Sequence, residues 1–283
     1  MKNLIFDSHY ICHMSKHSMK GLTFDEMDTG VIFGFIKQII ANVERFKTNS
    51  ISFAWDAKLI KRREMYPEYK SSRREEKTEE QIRLDKIAYP QFGTIRRYVL
   101  PTLGLVNSFI QSYYEADDII ASIIKSNPGI DHIIVSSDND LYQLLSPNVS
   151  MFNPMTKKEY KLGDFLEEWQ LDPTAWPTVK AMAGCKSDNV EGIRGVGEIT
   201  AAKYLRNALP GHAKANGLIR QNKAIVDRNY PLVKIPLEGV NRYPLAENQY
   251  KKGEFLKICD YYGFRSLYDK VDWWEVCFNG KRC

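Results

Sequence analysis

Carboxylates that follow apolar runs are the residues of this sequence best suited to chemistry. Glu115, Asp117 and Asp118 precede a segment whose isoleucines recur at helical spacing, so a helix should carry them in its first turn. Further acids end strand-like apolar runs, namely Asp7, Asp56 and Asp138. Because the carboxyl ends of strands in an open α/β sheet meet at one edge, we expect three strands and one helix to form a single acidic pocket.

Two explanations account for such a cluster. Acids in a first helical turn complement the helix dipole, which stabilises a helix by on the order of a few tenths of a kcal/mol. Carboxylates gathered from several elements would instead repel and raise one another's pKa, so they make sense chiefly around divalent cations. Ligation by oxygen alone favours Mg²⁺ or Mn²⁺.

Composition indicates a globular protein with no membrane partner. The chain has 283 residues, of which 43% are hydrophobic and 27% charged, and it can form one large domain or two small ones. No apolar run approaches the roughly 20 residues of a membrane span, and no signal peptide precedes the first strand, so we expect a cytoplasmic protein. The five cysteines include no CxxC pair, which gives no sign of a disulfide framework or zinc knuckle.

One segment holds the whole excess of positive charge. Net charge is +5, and residues 58–97 contain twelve Lys and Arg against seven Asp and Glu. Basic residues alternate with tyrosines here, which suits a nucleic-acid strand, since cations neutralise phosphates and rings stack on unpaired bases. An ordinary solvated loop explains this stretch equally well. Thr78 to Gln81 has the capping-box pattern, which predicts a polar helix through Ile87.

The order of apolar runs predicts a parallel sheet. A strand over Lys2–Asp7, a helix over Gly30–Phe46 and a strand over Ser50–Asp56 form a right-handed βαβ unit. Further strands are predicted over Leu103–Val106 and His132–Ser137, and a helical core segment over residues 151–183.

His9, His13 and His17 recur at four-residue spacing and would share one face of a helix. Three imidazoles can bind zinc, but no cysteine or carboxylate in the stretch completes such a site. We therefore favour a solvated or phosphate-facing stripe.

Five motifs in one order are more specific than any one of them. They are Asp56-Ala57-Lys58, Tyr69-Lys70 with Arg73, Glu115-Ala116-Asp117-Asp118, Ser137-Asp138-Asn139-Asp140-Leu141, and the glycine-rich element from Gly184 to Gly197. In order and spacing over roughly residues 2 to 236, the sequence resembles the 5′-nuclease (flap endonuclease) family. That family includes phage-type 5′-3′ exonucleases and the N-terminal nuclease domain of bacterial DNA polymerase I.

The resemblance implies a PIN-like 5′-nuclease fold, which is an α/β fold with a mostly parallel central sheet flanked by helices. Residues 1–180 would form the catalytic core, including a basic helical arch at about 58–97. Residues 181–283 would hold a helix-three-turn-helix element and a C-terminal helical region packed on the core.

The implied function is metal-dependent hydrolysis of phosphodiester bonds near 5′ ends or junctions of DNA, in replication or repair. The expected partners are 5′-flap, nicked or 5′-ended duplex DNA, bound by a monomer. Phosphate contacts carry no sugar preference, so cleavage of RNA-DNA hybrids stays open, as does the balance between exonuclease and flap endonuclease activity.

The resemblance also assigns roles to individual residues. Two Mg²⁺ or Mn²⁺ ions would be held by eight carboxylates, which are Asp7, Asp56, Glu115, Asp117, Asp118, Asp138, Asp140 and Asp188. The catalytic residues would be Lys70, Arg73 and Asp118, of which the two basic residues neutralise the scissile phosphate.

DNA contacts are expected from two elements. The basic segment would contribute Arg62, Arg63, Tyr66, Tyr69, Lys70, Arg73 and Arg74. The family has one further basic position in this segment. Counting forward from Asp56 favours Arg63 for it, whereas counting back from Tyr69 favours Arg62, so both stay candidates. The glycine-rich element would seat phosphates on its amides and hold K⁺ on its carbonyls, with contacts from Gly192, Arg194, Gly195, Gly197, Thr200 and Lys203.

Cys185 departs from the family pattern, because an aspartate usually stands at this position. A thiol is a soft ligand and a poor partner for Mg²⁺, so the second metal site on Asp138, Asp140 and Asp188 should be weaker than in the family. The rival interpretation is a branched-DNA-binding relative with weak or no catalysis. A compact ribonuclease is a third possibility, which the glycine-rich hairpin element and the chain length argue against.

Overall fold

Short strands and helices alternate along the chain in a computed structural model that describes residues 2–58, 60–71 and 77–278. The strands of these residues are β1 (Lys2–Asp7), β2 (Thr23–Phe24), β3 (Met27–Asp28), β4 (Ser50–Trp55), β5 (Ser108–Ile110), β6 (Asp131–Val135), β7 (Val149–Asn153), β8 (Lys158–Tyr160), β9 (Gly184–Cys185) and β10 (Val190–Glu191). β2 pairs with β3, and β9 with β10, in separate antiparallel hairpins.

The helices in the same part of the chain are α1 (Ser8–Ser18), α2 (Gly30–Phe46), α3 (Arg62–Met65), α4 (Glu79–Thr94), α5 (Ala116–Ser126), α6 (Leu162–Trp169), α7 (Trp176–Ala183), α8 (Glu198–Leu205), α9 (Lys214–Gln221), α10 (Lys223–Val233), α11 (Lys252–Tyr262) and α12 (Val271–Phe278). α4 continues through a π-helical turn over Ile95–Val99 and a last α turn over Leu100–Thr102. Short 3₁₀ turns cover Asn139–Leu144, Pro173–Ala175, Lys186–Asp188 and Arg265–Lys270. None of the described helices combines the length and the hydrophobicity needed to cross a membrane.

The central sheet has the strand order β5-β4-β1-β6-β7-β8. All neighbours are parallel except β7 and β8, which are antiparallel. The chain passes from β1 to β4 on one side and later places β6 on the other. β1 is therefore the point where the strand order reverses, and in open α/β sheets the crevice outside the carboxyl ends at such a point binds ligands.

Helices cover both faces of the sheet because side chains alternate along its buried strands. Leu4 and Phe6 pack into one apolar cluster with helices α1, α2, α4, α11 and α12, whose fully buried members include Trp274. Ile5 points the other way, into a cluster with α5, α6 and α7 that includes Trp176. Aromatic residues of the C-terminal helices are thus part of the core.

Several predicted elements are confirmed. β1 and α2 have the predicted bounds, and β4 ends one residue before Asp56. Thr78 caps α4 in a capping box with Gln81, although the helix extends to Thr94 rather than ending at Ile87.

The strand predicted over Leu103–Val106 is wrong. The chain turns there, and the strand follows at Ser108–Ile110. Gly104 has φ +78°, and a Cβ on it would lie 1.8 Å from the Gln249 carbonyl oxygen. The apolar run is a buried turn held against a distant segment, which composition alone does not distinguish from a strand.

The helical prediction over residues 151–183 is wrong in its first part. β7 and β8 occupy this part as an antiparallel hairpin, and helix begins only at Leu162. The Asn153 side chain accepts hydrogen bonds from the backbone N–H groups of Met155 (2.9 Å) and Thr156 (3.2 Å) and so closes the turn.

The histidine stripe of α1 is not the solvated surface that was one of two predictions for it, and a phosphate-facing role stays a prediction. The rings of His9 and His13 pack edge-on against Phe92 of α4, and burial lowers the pKa of His13 to about 4. Only His17 of the three is exposed. α4 is therefore anchored on α1 by aromatic contacts over its second half.

Candidate active site

Three strands of the sheet each place an aspartate at the same edge. Asp7 ends β1 and caps α1, where its Oδ1 accepts a hydrogen bond from the Tyr10 amide (3.1 Å). Asp56 follows β4, and its Oδ1 accepts from the Ala116 amide (2.7 Å) at the start of α5. Asp138 follows β6 and caps the next 3₁₀ turn. The predicted convergence of three strands and one helix is confirmed.

These acids share one electrostatic environment. Burial, and next the charge of Asp56, raise the pKa of Asp7 to about 7. Burial and the charges of Asp138 and Asp7 raise the pKa of Asp117 well above its ordinary value. No donor in the described ranges hydrogen-bonds to the Asp117 carboxylate. A buried carboxylate that faces like charges and accepts no hydrogen bond, as Asp117 does among the residues that the structure describes, is suited to bind a divalent cation.

Arg62 ties the first turn of α5 to the rest of the molecule. Its side chain is 2% exposed, and its two terminal nitrogens lie 2.6 and 2.8 Å from the oxygens of Asp118. The guanidinium also donates to Glu115 (3.0 Å) and to the Leu232 carbonyl (2.8 Å). Asp118 accepts in addition from the Leu237 amide (2.8 Å). This buried network joins α3, α5 and the end of α10.

Tyr69 and Lys70 reach the same acids from the basic segment. Tyr69 is 3% exposed, and its hydroxyl lies 3.0 Å from Glu115 Oε2 and 3.1 Å from Asp188 Oδ2. The Lys70 ammonium pairs with Glu115 Oε1 and lies 3.6 Å from Asp188 Oδ2. The basic segment therefore returns to the acidic pocket at Lys70.

A second group of possible metal ligands lies beside the acids at the sheet edge. One side-chain donor from each of Asp140, Cys185 and Asp188 falls within 4.8 Å of the others. Burial, and then the charge of Asp138, raise the pKa of Asp140 to about 6. Burial and the charges of Asp188 and Asp140 raise the pKa of Cys185 to about 11. The Lys180 ammonium lies 2.9 Å from Asp140 Oδ1.

The glycine-rich element forms the predicted turn between two helices. It links α7 to α8 through the β9-β10 hairpin. A Cβ on Gly192 would lie 2.2 Å from the Ala183 carbonyl carbon, so only glycine permits this close approach. Arg194 and Lys203 are exposed on the same element.

Comparison with known proteins assigns the family. Residues 2–170 match the family described as 5′-3′ exonuclease, N-terminal resolvase-like domain. The chain belongs to this family.

Two curated relatives show how much of this chain and of each relative the similarity covers. The thermostable DNA polymerase I of Thermus aquaticus is 29% identical over 231 residues, which are 80% of this chain and 26% of the polymerase. The 5′-3′ exonuclease of Aquifex aeolicus is 30% identical over 218 residues, or 73% of this chain and 72% of that protein. The chain spans between 14% and 26% of the length of the first polymerase relatives.

Solved structures of bacteriophage T5 enzymes share the fold. The T5 5′-exonuclease with bound divalent metal ions (zinc) superposes with a TM-score of 0.71 at 25% identity, covering 83% of this chain and 90% of that one. The T5 D15 flap endonuclease in a pseudo-enzyme-product complex with DNA and metal ions gives the same values. The PIN-like 5′-nuclease architecture, with its mostly parallel sheet between helices, is therefore confirmed.

The structure corrects three of the site predictions for this family member. Asp118 is not an available metal ligand, because both its oxygens are held by Arg62 at 0% exposure. Arg62 does not reach DNA, because it is buried against that carboxylate. Tyr69 does not stack on a base, because its ring is buried and its hydroxyl faces Glu115 and Asp188. All three residues position the site.

Other predicted contacts with DNA remain predictions. Arg63 is half-buried, and its Nε donates to the Tyr69 carbonyl (3.1 Å). The Tyr66 ring lies 5.1 Å from the Arg228 guanidinium. Arg73 and Arg74 lie outside the described residues.

Sequence reasoning missed several residues that shape the site. Ser136 donates a hydrogen bond to Asp7 Oδ2 (2.9 Å), and His9 Nδ1 accepts one from the Asp56 amide (3.0 Å). Lys180 was missed although it carried a signal, since it is a lone charge among apolar residues of α7. Lysine is seldom buried unless it is paired.

Replacing Arg62 with methionine should lower the free energy of unfolding by about 3–5 kcal/mol, because it leaves the Asp118 charge buried without its cationic partner and leaves Glu115 with Lys70 as its cationic partner. Urea denaturation of the metal-free protein measures the loss. The exposed Arg83→Met variant on α4 is the matched control and should stay within about 0.5 kcal/mol of wild type. A loss below about 1 kcal/mol for Arg62→Met would contradict the role assigned to this network.

The stabilisation by Mg²⁺ should grow as the pH rises. An unfolded aspartate ionises near 3.8, whereas Asp7 in the folded, metal-free protein keeps its proton to about 7. Unfolding therefore releases protons in this window, and the free energy of unfolding of the metal-free protein falls as pH increases through it. A cation that favours the ionised carboxylates reverses the loss.

Thermal unfolding with and without Mg²⁺ across this range measures the effect as a difference in Tm. Taking the difference in Tm cancels the contributions of groups outside the pocket. His13 is one of them, and its lowered pKa has the opposite effect on the pH dependence of stability. An equal Mg²⁺-induced increase in Tm at about pH 5 and about pH 8 would rule out ionisation of the acidic pocket as its source.

Proposed function

We propose that this chain is a metal-dependent 5′ nuclease, acting as a 5′-3′ exonuclease and structure-specific flap endonuclease on DNA. The observation that carries the proposal is the gathering of Asp7, Asp117 and Asp138 in one pocket at the strand-order reversal, where burial and the charge of Asp138 raise the pKa of Asp7 and of Asp117. Family membership and the T5 structures with metal ions and DNA support it. We further propose a cytoplasmic monomer that acts in DNA replication or repair.

The proposed cofactor is Mg²⁺ or Mn²⁺. The acids that would hold a first ion are Asp7, Asp56, Glu115, Asp117 and Asp138. A cation bound there supplies charge that lowers the pKa of a water nucleophile and offsets charge on the phosphate. The position beside Asp138, Asp140 and Asp188 is the weaker one for a second ion, because Cys185 offers a soft thiol there.

The chain's own residues orient and neutralise the substrate. Lys70 brings an ammonium group into the pocket next to Glu115, where it would balance the charge of the scissile phosphate together with Arg73. Arg62 and Asp118 fix the first turn of α5, which would hold the Asp117 carboxylate in position to bind a cation.

DNA would contact two surfaces. Residues at about 58–97 are the proposed arch for the 5′ strand, with Arg63, Tyr66 and Arg74 as contacts. The glycine-rich element in the proposed second domain, 181–283, would bind duplex phosphates and K⁺ through Gly192, Arg194, Gly195, Gly197, Thr200 and Lys203. Glycine turns at a helix start expose amides suited to phosphate, which fixes register without reading sequence.

A panel of 5′-labelled substrates tests the proposal. It comprises a 5′-flap duplex, a nicked duplex, a blunt duplex and a single strand of the same sequence, each incubated with Mg²⁺. We expect short labelled products from the flap and the nick, and little from the single strand. Equal cleavage of all four would contradict structure selectivity, and tight flap binding without cleavage in Mg²⁺ or Mn²⁺ would instead indicate a DNA-binding relative. A flap with an RNA 5′ strand decides whether RNA-DNA hybrids are substrates.

A further inference from the structure

Lys180 lies beside the group of Asp140, Cys185 and Asp188, where a second cation would be held. It belongs to α7, and its side chain is buried at 7% residue exposure. Its ammonium lies 2.9 Å from Asp140 Oδ1 and 2.9 Å from Glu198 Oε1. One oxygen of Asp140 therefore already faces a positive charge, while the other, Oδ2, lies 3.9 Å from Cys185 Sγ.

The charges around Cys185 need no additional cation. Asp140 and Glu198 share the Lys180 ammonium, and Asp188 faces Lys70 at 3.6 Å. A thiol at position 185 adds no negative charge, whereas an aspartate there would add one. The three donors of Asp140, Cys185 and Asp188 are close enough for a metal, but their charge and softness do not suit Mg²⁺.

A dication bound at Asp140 would also lie close to the Lys180 ammonium. The ammonium is largely buried, because its side chain is 9% exposed and pairs with Glu198 in the first turn of α8. It would stay buried beside a doubly charged ion, and like charges in a poorly solvated site repel strongly.

We propose that the Lys180 ammonium stands in for a second divalent cation, so that the chain binds one such ion, at Asp7, Asp117 and Asp138, rather than two. Lys180 then supplies a fixed positive charge beside Asp140. The role of this charge in cleavage rests on the proposed function, whereas the number of ions bound does not.

The number of bound Mn²⁺ ions per chain tests the proposal without any measurement of activity. Electron paramagnetic resonance of free Mn²⁺ during titration gives this number for wild type, Lys180→Met, Cys185→Asp and the double variant. We expect one ion in wild type. We expect a twofold increase, to two ions, in the double variant, where the ammonium is gone and the carboxylate is present.

Cys185→Asp alone separates the contribution of Lys180 from that of the thiol. With the ammonium still in place, this variant should bind one tight ion, and two tight ions in it would overturn the proposal. Two tight ions in wild type would overturn it as well. Circular dichroism confirms that each variant is folded. Glu198→Gln, which keeps the ammonium and removes one of its partners, should also bind one ion and so supports the proposal if Lys180→Met does not fold.

Failure of this inference is distinguishable from failure of the proposed function. Flap cleavage by a wild type that binds two ions overturns the inference alone. One bound ion without cleavage of any substrate supports the inference and contradicts the nuclease proposal.

Discussion

Asp117→Asn is expected to lower the single-turnover rate of flap cleavage by at least about a thousandfold, which corresponds to about 4 kcal/mol of transition-state stabilisation. Asp117 lies at the first turn of α5 and faces Asp138 and Asp7, and its carboxylate makes no hydrogen bond within the described part of the chain. An amide keeps its shape but removes the charge that would hold a cation.

The same variant should bind DNA at least as tightly as wild type, because it removes one charge that repels phosphate. Binding of the flap duplex in EDTA checks this. Asp131→Asn is the matched control, since Asp131 is an exposed aspartate at the opposite, amino end of β6 and should leave the rate unchanged. A cleavage rate of Asp117→Asn within about tenfold of wild type would contradict the site assigned here.

Lys70→Met should reduce the rate of the chemical step by about a hundredfold to a thousandfold, the range seen when one preorganised charge at a reacting centre is lost. The ammonium lies among Glu115 and Asp188, so its loss removes positive charge from the pocket that receives the phosphate. Single-turnover cleavage at saturating enzyme separates this effect from weaker binding.

Two controls sharpen the Lys70 measurement. Lys125→Ala removes an exposed lysine from the far end of α5 and should not change the rate. Lys70→Arg keeps the charge and should recover part of it, although a guanidinium does not reproduce the geometry of an ammonium. Full activity of Lys70→Met would remove Lys70 from the catalytic residues.

The acidic pocket was predictable because two signals agree along the chain. Each of Asp7, Asp56 and Asp138 follows an apolar run long enough to be a buried parallel strand, and parallel strands end at one edge. The sequence does not specify which carboxylates face the pocket. Asp117 and Asp118 are neighbours in one helical turn. Asp118 has a structural role because its carboxylate binds the buried Arg62, whereas the Asp117 carboxylate is left available to the site.

The choice between Arg62 and Arg63 shows the same limit. Both belong to α3, a helix of four residues, which is too short for periodicity to define a buried face. Contacts with α5 and with the Leu232 carbonyl, both distant in sequence, bury Arg62. The turn at Gly104 was misread for a related reason, since its close approach to Gln249 is a tertiary contact.

Lys180 and Cys185 differ in how much the sequence indicates about them. Cys185 departs from a family position, whereas the importance of Lys180 depends on the contact of its ammonium with Asp140, which only the structure shows. Together they change the number of bound cations that we expect.

The measurement that tests the central claim most directly is single-turnover cleavage of one 5′-flap substrate as Mg²⁺ is titrated from an EDTA-treated protein, with Asp117→Asn alongside. We predict no cleavage in EDTA, a saturable increase with Mg²⁺ for wild type, and none for the variant at the same concentrations. Cleavage by wild type in EDTA, or equal Mg²⁺ dependence in both proteins, would contradict the assignment of the acidic pocket as the metal-dependent nuclease site.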